Sequence, residues 1–159
     1  MGNQISIVQV ITLMLAPGIM ISACGLLILG MNNKYSLVVN RIRLLNEEKR
    51  ELKSKAGERE FTYEENIRLH SLALQLTALG YRVKLVRNSV VADTIAVGFF
   101  VLTSLSIGLE YLLSEPNLNY LVTAIFLAGM ISVLFGVTFA AMESIKGYDI
   151  IHFEVLTED

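Results

Sequence analysis

The sequence is short of the residues on which most enzyme chemistry depends. It has a single cysteine, Cys24, which excludes an internal disulfide and any cysteine-cluster metal site. Its two histidines, His70 and His152, have no second ligand at a fixed spacing, so they read as satisfied or solvent-facing side chains. No phosphate loop, metal motif or nucleophile elbow occurs. With 159 residues there is no room for a separate catalytic module. Charge is also scarce: 18% of residues are charged, below the quarter usual in soluble domains. The formal net charge of −2 provides no concentrated basic face for nucleic acid. Neither an enzyme nor a cofactor is expected, and no nucleic-acid partner.

What is abundant is apolar sequence, 53% of the chain. Residues 5–31 are apolar apart from a few hydroxyls, Gln9 and Cys24, and residues 89–113 carry only Asp93 and Glu110. Residues 118–142 hold no charge at all. A helix needs about 20 residues to cross the hydrocarbon, so each stretch qualifies as a span and the lipid bilayer is the expected partner. A very apolar soluble bundle would need a polar face on each helix, and the third stretch has none. The first stretch lacks a positive flank and is too long for a signal-peptide core, so it reads as a span. Met1-Gly2 with Ser6 matches a myristoylation pattern, which the orientation argued next contradicts.

Twelve of the 13 Lys and Arg residues lie between Lys34 and Arg87, and the last, Lys146, follows the third span. Positive residues near span ends stay cytoplasmic, which puts residues 32–88 and the carboxyl terminus inside and the amino terminus outside. Residues 114–119, with Glu115 and Pro116 but no base, are then outside as well.

Within residues 32–88 apolar side chains recur at steps of three and four: Tyr35, Val38, Ile42, Leu45 and Leu52, then Leu69, Leu72, Leu76, Leu79, Val83 and Val86. That spacing makes a coiled-coil-like seam. Residues 54–61 read as the turn, and Thr62 with Glu65 as a capping box. The expected fold is all-α: three transmembrane helices with a long cytoplasmic antiparallel helical hairpin between the first and second. In the simplest form each span runs on into an arm, although Asn32 and Asn33 are weak helix formers at that junction. The domains are then residues 1–31, a kinked first span; 32–88, the hairpin; 89–113 and 118–142, the second and third spans; and 143–159, a cytoplasmic tail. The tail alternates Ile151, Phe153 and Val155 with polar residues, which suggests a strand or an interfacial segment. Leu69, Leu72, Leu76, Leu79 and Val83 are the expected oligomer contacts. Val39, Leu44, Leu74 and Leu85 lie off the narrow seam and extend the apolar surface towards other subunits.

The second span carries Ser89, Ala92, Ala96, Phe99, Thr103, Ser106 and Glu110 along one stripe, with Asp93 beside its start. The third carries Gly129, Ser132, Gly136, Ala140 and Glu143. Small residues four apart allow close helix packing, and that alone accounts for most of the third stripe. Asp93 demands more, because a carboxylate at mid-membrane costs about 2.5–3.5 kcal/mol on insertion scales. Asp93 and Glu143 have two readings: anchors paired with Arg82, Arg87 or Lys146, or acids ringing an oligomer axis and attracting cations. Asp93, Thr103, Ser106, Glu110 and Glu143 are the candidate pore or ion-path residues. Pro17, inside Ala16-Pro17-Gly18, is expected to kink or break the first span.

The run ITLMLAPGIMISACGLLILGMNNKYSLVVNRIRLLNEEKREL, residues 11–52, resembles the signature of domain-of-unknown-function family 2721. Ala16-Pro17, Ser22-Ala23-Cys24, and Tyr35 followed by Arg41-Ile42-Arg43 carry the likeness, and RNSVVADTIAVGFFVLTSLSIGL in the second span is similar too. The resemblance implies a small bacterial inner-membrane protein with three spans, and it implies no activity or cofactor. Two functions fit the sequence. One is a homo-oligomeric membrane protein forming a cation-permeable pore lined by second-span polar residues. The other is a membrane-anchored scaffold or adaptor whose cytoplasmic hairpin binds a partner protein.

Overall fold

The computed structural model describes residues 7–55, 62–113 and 118–157. The expected turn at 54–61 and outer connection at 114–119 fall mostly outside that range. Three long helices make up the described chain: α1 (Ile7–Lys55), α2 (Tyr63–Leu113) and α3 (Leu118–Thr157).

These three elements correct the expected fold. Among the described residues no separate hairpin helix stands between the first two apolar stretches, because each supposed arm is one piece with the helix it adjoins. α1 has 49 residues and α2 has 51. At about 1.5 Å per residue, each exceeds twice the roughly 30 Å hydrocarbon thickness. The physical reason is nucleation. Extending an existing helix fixes one residue per hydrogen bond, whereas starting another repeats a costly nucleus. Asn32 and Asn33 are too weak as breakers to overcome that, and α1 passes through them. It also passes through Pro17 without interruption, with the proline ring fully buried. α3 likewise continues to Thr157, so the tail is helical and not a strand. Its alternating Ile151, Phe153 and Val155 extend a helix that is already formed.

The start of α2 forms as its sequence requires. Glu65 reaches back to accept a 3.0 Å hydrogen bond from the Thr62 amide, and the Asn66 amide donates to the Thr62 carbonyl at 3.1 Å. The first bond satisfies an amide that the helix start leaves without a partner, and the second is the first regular bond of the helix.

The chain divides into two compact units. The first comprises Met1–Met31 and Asn88–Phe139. Its core joins Cys24, Ala96 and Phe100, with Met20, Ile21, Val97, Phe126 and Val133 packed around them, so all three helices contribute. The Phe100 and Phe126 rings lie 5.5 Å apart at 58°, a tilted arrangement that suits their quadrupoles. The second unit comprises Asn32–Arg87 and Ala140–Asp159. Its core is Val38 and Leu45 of α1 against Leu72 and Leu79 of α2, flanked by Ile42, Leu52, Leu76 and Val83. The three-and-four spacing of both runs puts these side chains on facing stripes.

All three helices are long and apolar enough to cross a membrane. Within their most apolar stretches only 11% of α1, 22% of α2 and 11% of α3 is buried inside the protein. The outward side chains are leucines, isoleucines and phenylalanines such as Leu26, Leu105, Leu134 and Phe135. An apolar surface of that extent calls for lipid or other protein around it.

Candidate functional site

Two buried carboxylates, one in each unit, are the chemically distinctive groups. Glu143 is 1% exposed and belongs to the second unit. Lys34 of α1 donates from Nζ to its Oε2 at 2.8 Å, and also to the Ser144 hydroxyl at 2.6 Å. Arg82 of α2 donates from Nε and Nη2 to Oε1, at 3.2 and 2.7 Å. Both oxygens of one carboxylate are thus held by cations from two other helices. Charge-assisted bonds of this kind are the strong class of hydrogen bond and offset the cost of removing the carboxylate from water. Gly147, one turn on in α3, permits the approach: a Cβ there would meet Arg82 Nη2 at 2.8 Å.

Asp93 is provided for quite differently. It is 1% exposed and lies on α2 within the first unit, and its Oδ1 has no hydrogen-bond partner. Two hydroxyls flank it on the small-residue stripes, and both are committed elsewhere. Ser89 donates to the Gly136 carbonyl at 2.8 Å, and Ser132 donates to the Ala92 carbonyl at 2.7 Å. These cross-helix bonds hold α2 and α3 together through main-chain acceptors. The Asp93 carboxylate itself rests against Gly136, where an added Cβ would lie 2.7 Å from its Cγ and closer still to Oδ1. Cys24 of α1, also fully buried, lies in its neighbourhood. An unpaired ionised carboxylate in such a place costs several kcal/mol, on the order of 3 on insertion scales.

The other candidate residues fall as follows. Thr103 is buried, and its hydroxyl donates to the Phe99 carbonyl of its own helix at 2.8 Å. Ser106 and Glu110 are half-buried further along α2. Pro17 is buried in α1. Leu72 and Leu79 are covered by α1 of the same chain, with Leu76 and Val83 beside them and Leu69 half-buried at the end of the run. Of the residues set off the seam, Leu85 is buried and Val39 half-buried, while Leu44 and Leu74 are both 60% exposed.

Sequence reasoning named Arg82 among the partners for Glu143 but missed Lys34. Lysine 34 lies more than 100 positions away, and only its place just past the apolar part of α1 could have suggested it. The Asp93–Gly136 contact was also missed, although Gly136 stood on the third-span stripe and Asp93 beside the start of the second-span one. Among the described residues no three His, Cys, Asp or Glu side chains gather as a metal site.

Three long apolar helices, with cross-helix serine–carbonyl bonds between α2 and α3 and most of the charge gathered in residues 32–88, make a small all-helical protein consistent with a membrane protein. Residues 14–153 match the family described as Protein of unknown function (DUF2721), and the chain belongs to that family. No curated protein and no solved structure matches it.

Proposed function

We propose that the protein is a multi-pass, homo-oligomeric protein of the bacterial inner membrane that is permeable to cations, with Asp93 as the ionisable group on the path. The amino terminus faces outside and residues 32–87 face the cytoplasm, since they hold 12 of the 13 basic residues. The observation that carries this reading is the unpartnered Oδ1 of Asp93. A buried carboxylate that the protein leaves unneutralised attracts a positive charge, and intramembrane acids of this kind mark ion and proton paths. Thr103, Ser106 and Glu110 continue the polar stripe along α2. Glu143 is set apart from the path: with Lys34 and Arg82 already on it, it serves as an anchor.

Purified protein in liposomes, with imposed proton, sodium or potassium gradients and an internal indicator dye, tests the proposal. Flux above that of empty liposomes, lost in Asp93→Asn, is the expected result. Wild-type protein without flux for any of the three cations overturns it.

A second reading, a membrane-anchored scaffold, is favoured by Leu44 and Leu74. Both are exposed in the charge-rich unit, where water would otherwise meet them. On this reading a cytoplasmic partner covers them. Replacing both with serine abolishes partner capture from the native membrane if the scaffold reading holds, and leaves flux unchanged.

A further inference from the structure

The two buried carboxylates of this chain form a matched contrast, and the contrast identifies what Asp93 binds. Glu143 has hydrogen-bond donors on both oxygens, all from cationic side chains. Asp93 is buried to the same degree, yet it has no ion pair among the described residues, and no donor reaches its Oδ1. The groups around it are specific. From α3 it meets Gly136, with Ser132 a turn away; from α1 the titratable neighbour is the Cys24 thiol; on α2 itself it is flanked by Ser89, Ala92 and Ala96. None of these carries a positive charge. The serines, which in other settings would donate to a carboxylate, donate to Gly136 and Ala92 carbonyls instead. Gly136 brings the α3 backbone so close that a side chain at that position would collide with the carboxylate. The arrangement excludes a bulky counter-ion and supplies no protein charge.

From this we infer that Asp93 is a proton-binding site: it is held as a neutral carboxylic acid in the native protein. A proton is the smallest positive charge, and it removes the burial cost without any change in packing. In the protonated form the group carries no charge, so its burial no longer requires a counter-ion. The inference shares its residue with the proposed path but does not depend on flux, so a protein that conducts nothing can still hold this proton.

Infrared spectroscopy of the protein in lipid bilayers at neutral pH tests it. The expected spectrum contains the carbonyl stretch of a protonated carboxylic acid, equivalent to one group per chain, which disappears in Asp93→Asn and is unaltered in Glu143→Gln. Sodium or potassium should leave the band unchanged. Asp93→Asn, which copies the shape of the neutral acid, should fold as wild type does in thermal unfolding. If Asp93→Asn fails to fold, hydrogen–deuterium exchange of wild type serves in its place, shifting the same band. Absence of the band at neutral pH overturns the inference. So does a band that sodium or potassium removes, which would make the site one for a metal cation.

Discussion

Arg82 Nη2 lies 2.7 Å from Glu143 Oε1, and the same oxygen also receives Arg82 Nε at 3.2 Å. The Arg82 side chain is 19% exposed and the Lys34 side chain, on the other oxygen, is 41% exposed, while Glu143 is 1% exposed. The carboxylate is therefore the dry member of the cluster and the lysine the wettest. Glu143→Gln removes the one negative charge that both bases share. We expect a destabilisation of about 2 kcal/mol, less than the 3–5 typical of a fully buried pair because both cations can reach water. Arg82→Met should cost more than Lys34→Met. Thermal or denaturant unfolding in detergent checks the order.

A surface pair in the same unit provides the control. Arg68 donates to Glu48 through Nε at 2.7 Å and Nη2 at 3.2 Å, but the two side chains are half-exposed. Arg68→Ala should change stability by no more than about 1 kcal/mol, in keeping with solvated ion pairs. A loss as large as that of Glu143→Gln in the same unfolding assay would contradict the ranking.

Gly136→Ala should destabilise the first unit by about 1–3 kcal/mol, the usual cost of overpacking, because the new methyl group collides with the Asp93 carboxylate. Gly98→Ala, where a Cβ meets nothing within 4 Å, should be neutral or slightly favourable. Asp93→Ala combined with Gly136→Ala should cost less than the sum of the two single changes. A double-mutant cycle measures that coupling directly, and strict additivity would refute the contact.

Cys24 is fully buried against Ala96 and Phe100. A maleimide should fail to label it in the folded protein and should label it fully after denaturation, since thiolate formation and access both require exposure. In a Cys24→Ser background, cysteine placed at Leu44 or Leu74 should react readily unless a partner or a second copy covers it. Mass spectrometry of the labelled protein reads both outcomes.

Much of the architecture was written in local patterns. The runs Val38, Ile42, Leu45, Leu52 and Leu72, Leu76, Leu79, Val83 are the residues that form the core of the second unit. Apolar length alone pointed to three helices long and apolar enough to cross a membrane, and three such helices form. The hairpin was read into residues 32–88 from their seam, turn and cap and bounded where the apolar runs stop, but a change from apolar to charged residues does not end a helix. Only backbone breakers do, and neither Asn32-Asn33 nor the stretch around Arg87 contains an effective one. Leu85 was placed off the seam and is in fact buried, in a unit to which a third helix also contributes.

The sequence by itself determined which faces of each helix are apolar, small or charged, since a period of 3.6 residues maps directly onto direction around a helix axis. Tertiary packing decided which faces meet. That Lys34 joins Arg82 on Glu143, and that Asp93 faces a glycine and no base, depends on how each helix is rotated about its axis against the others. That rotation is set by the sum of side-chain contacts between segments distant in the chain, which no local window contains.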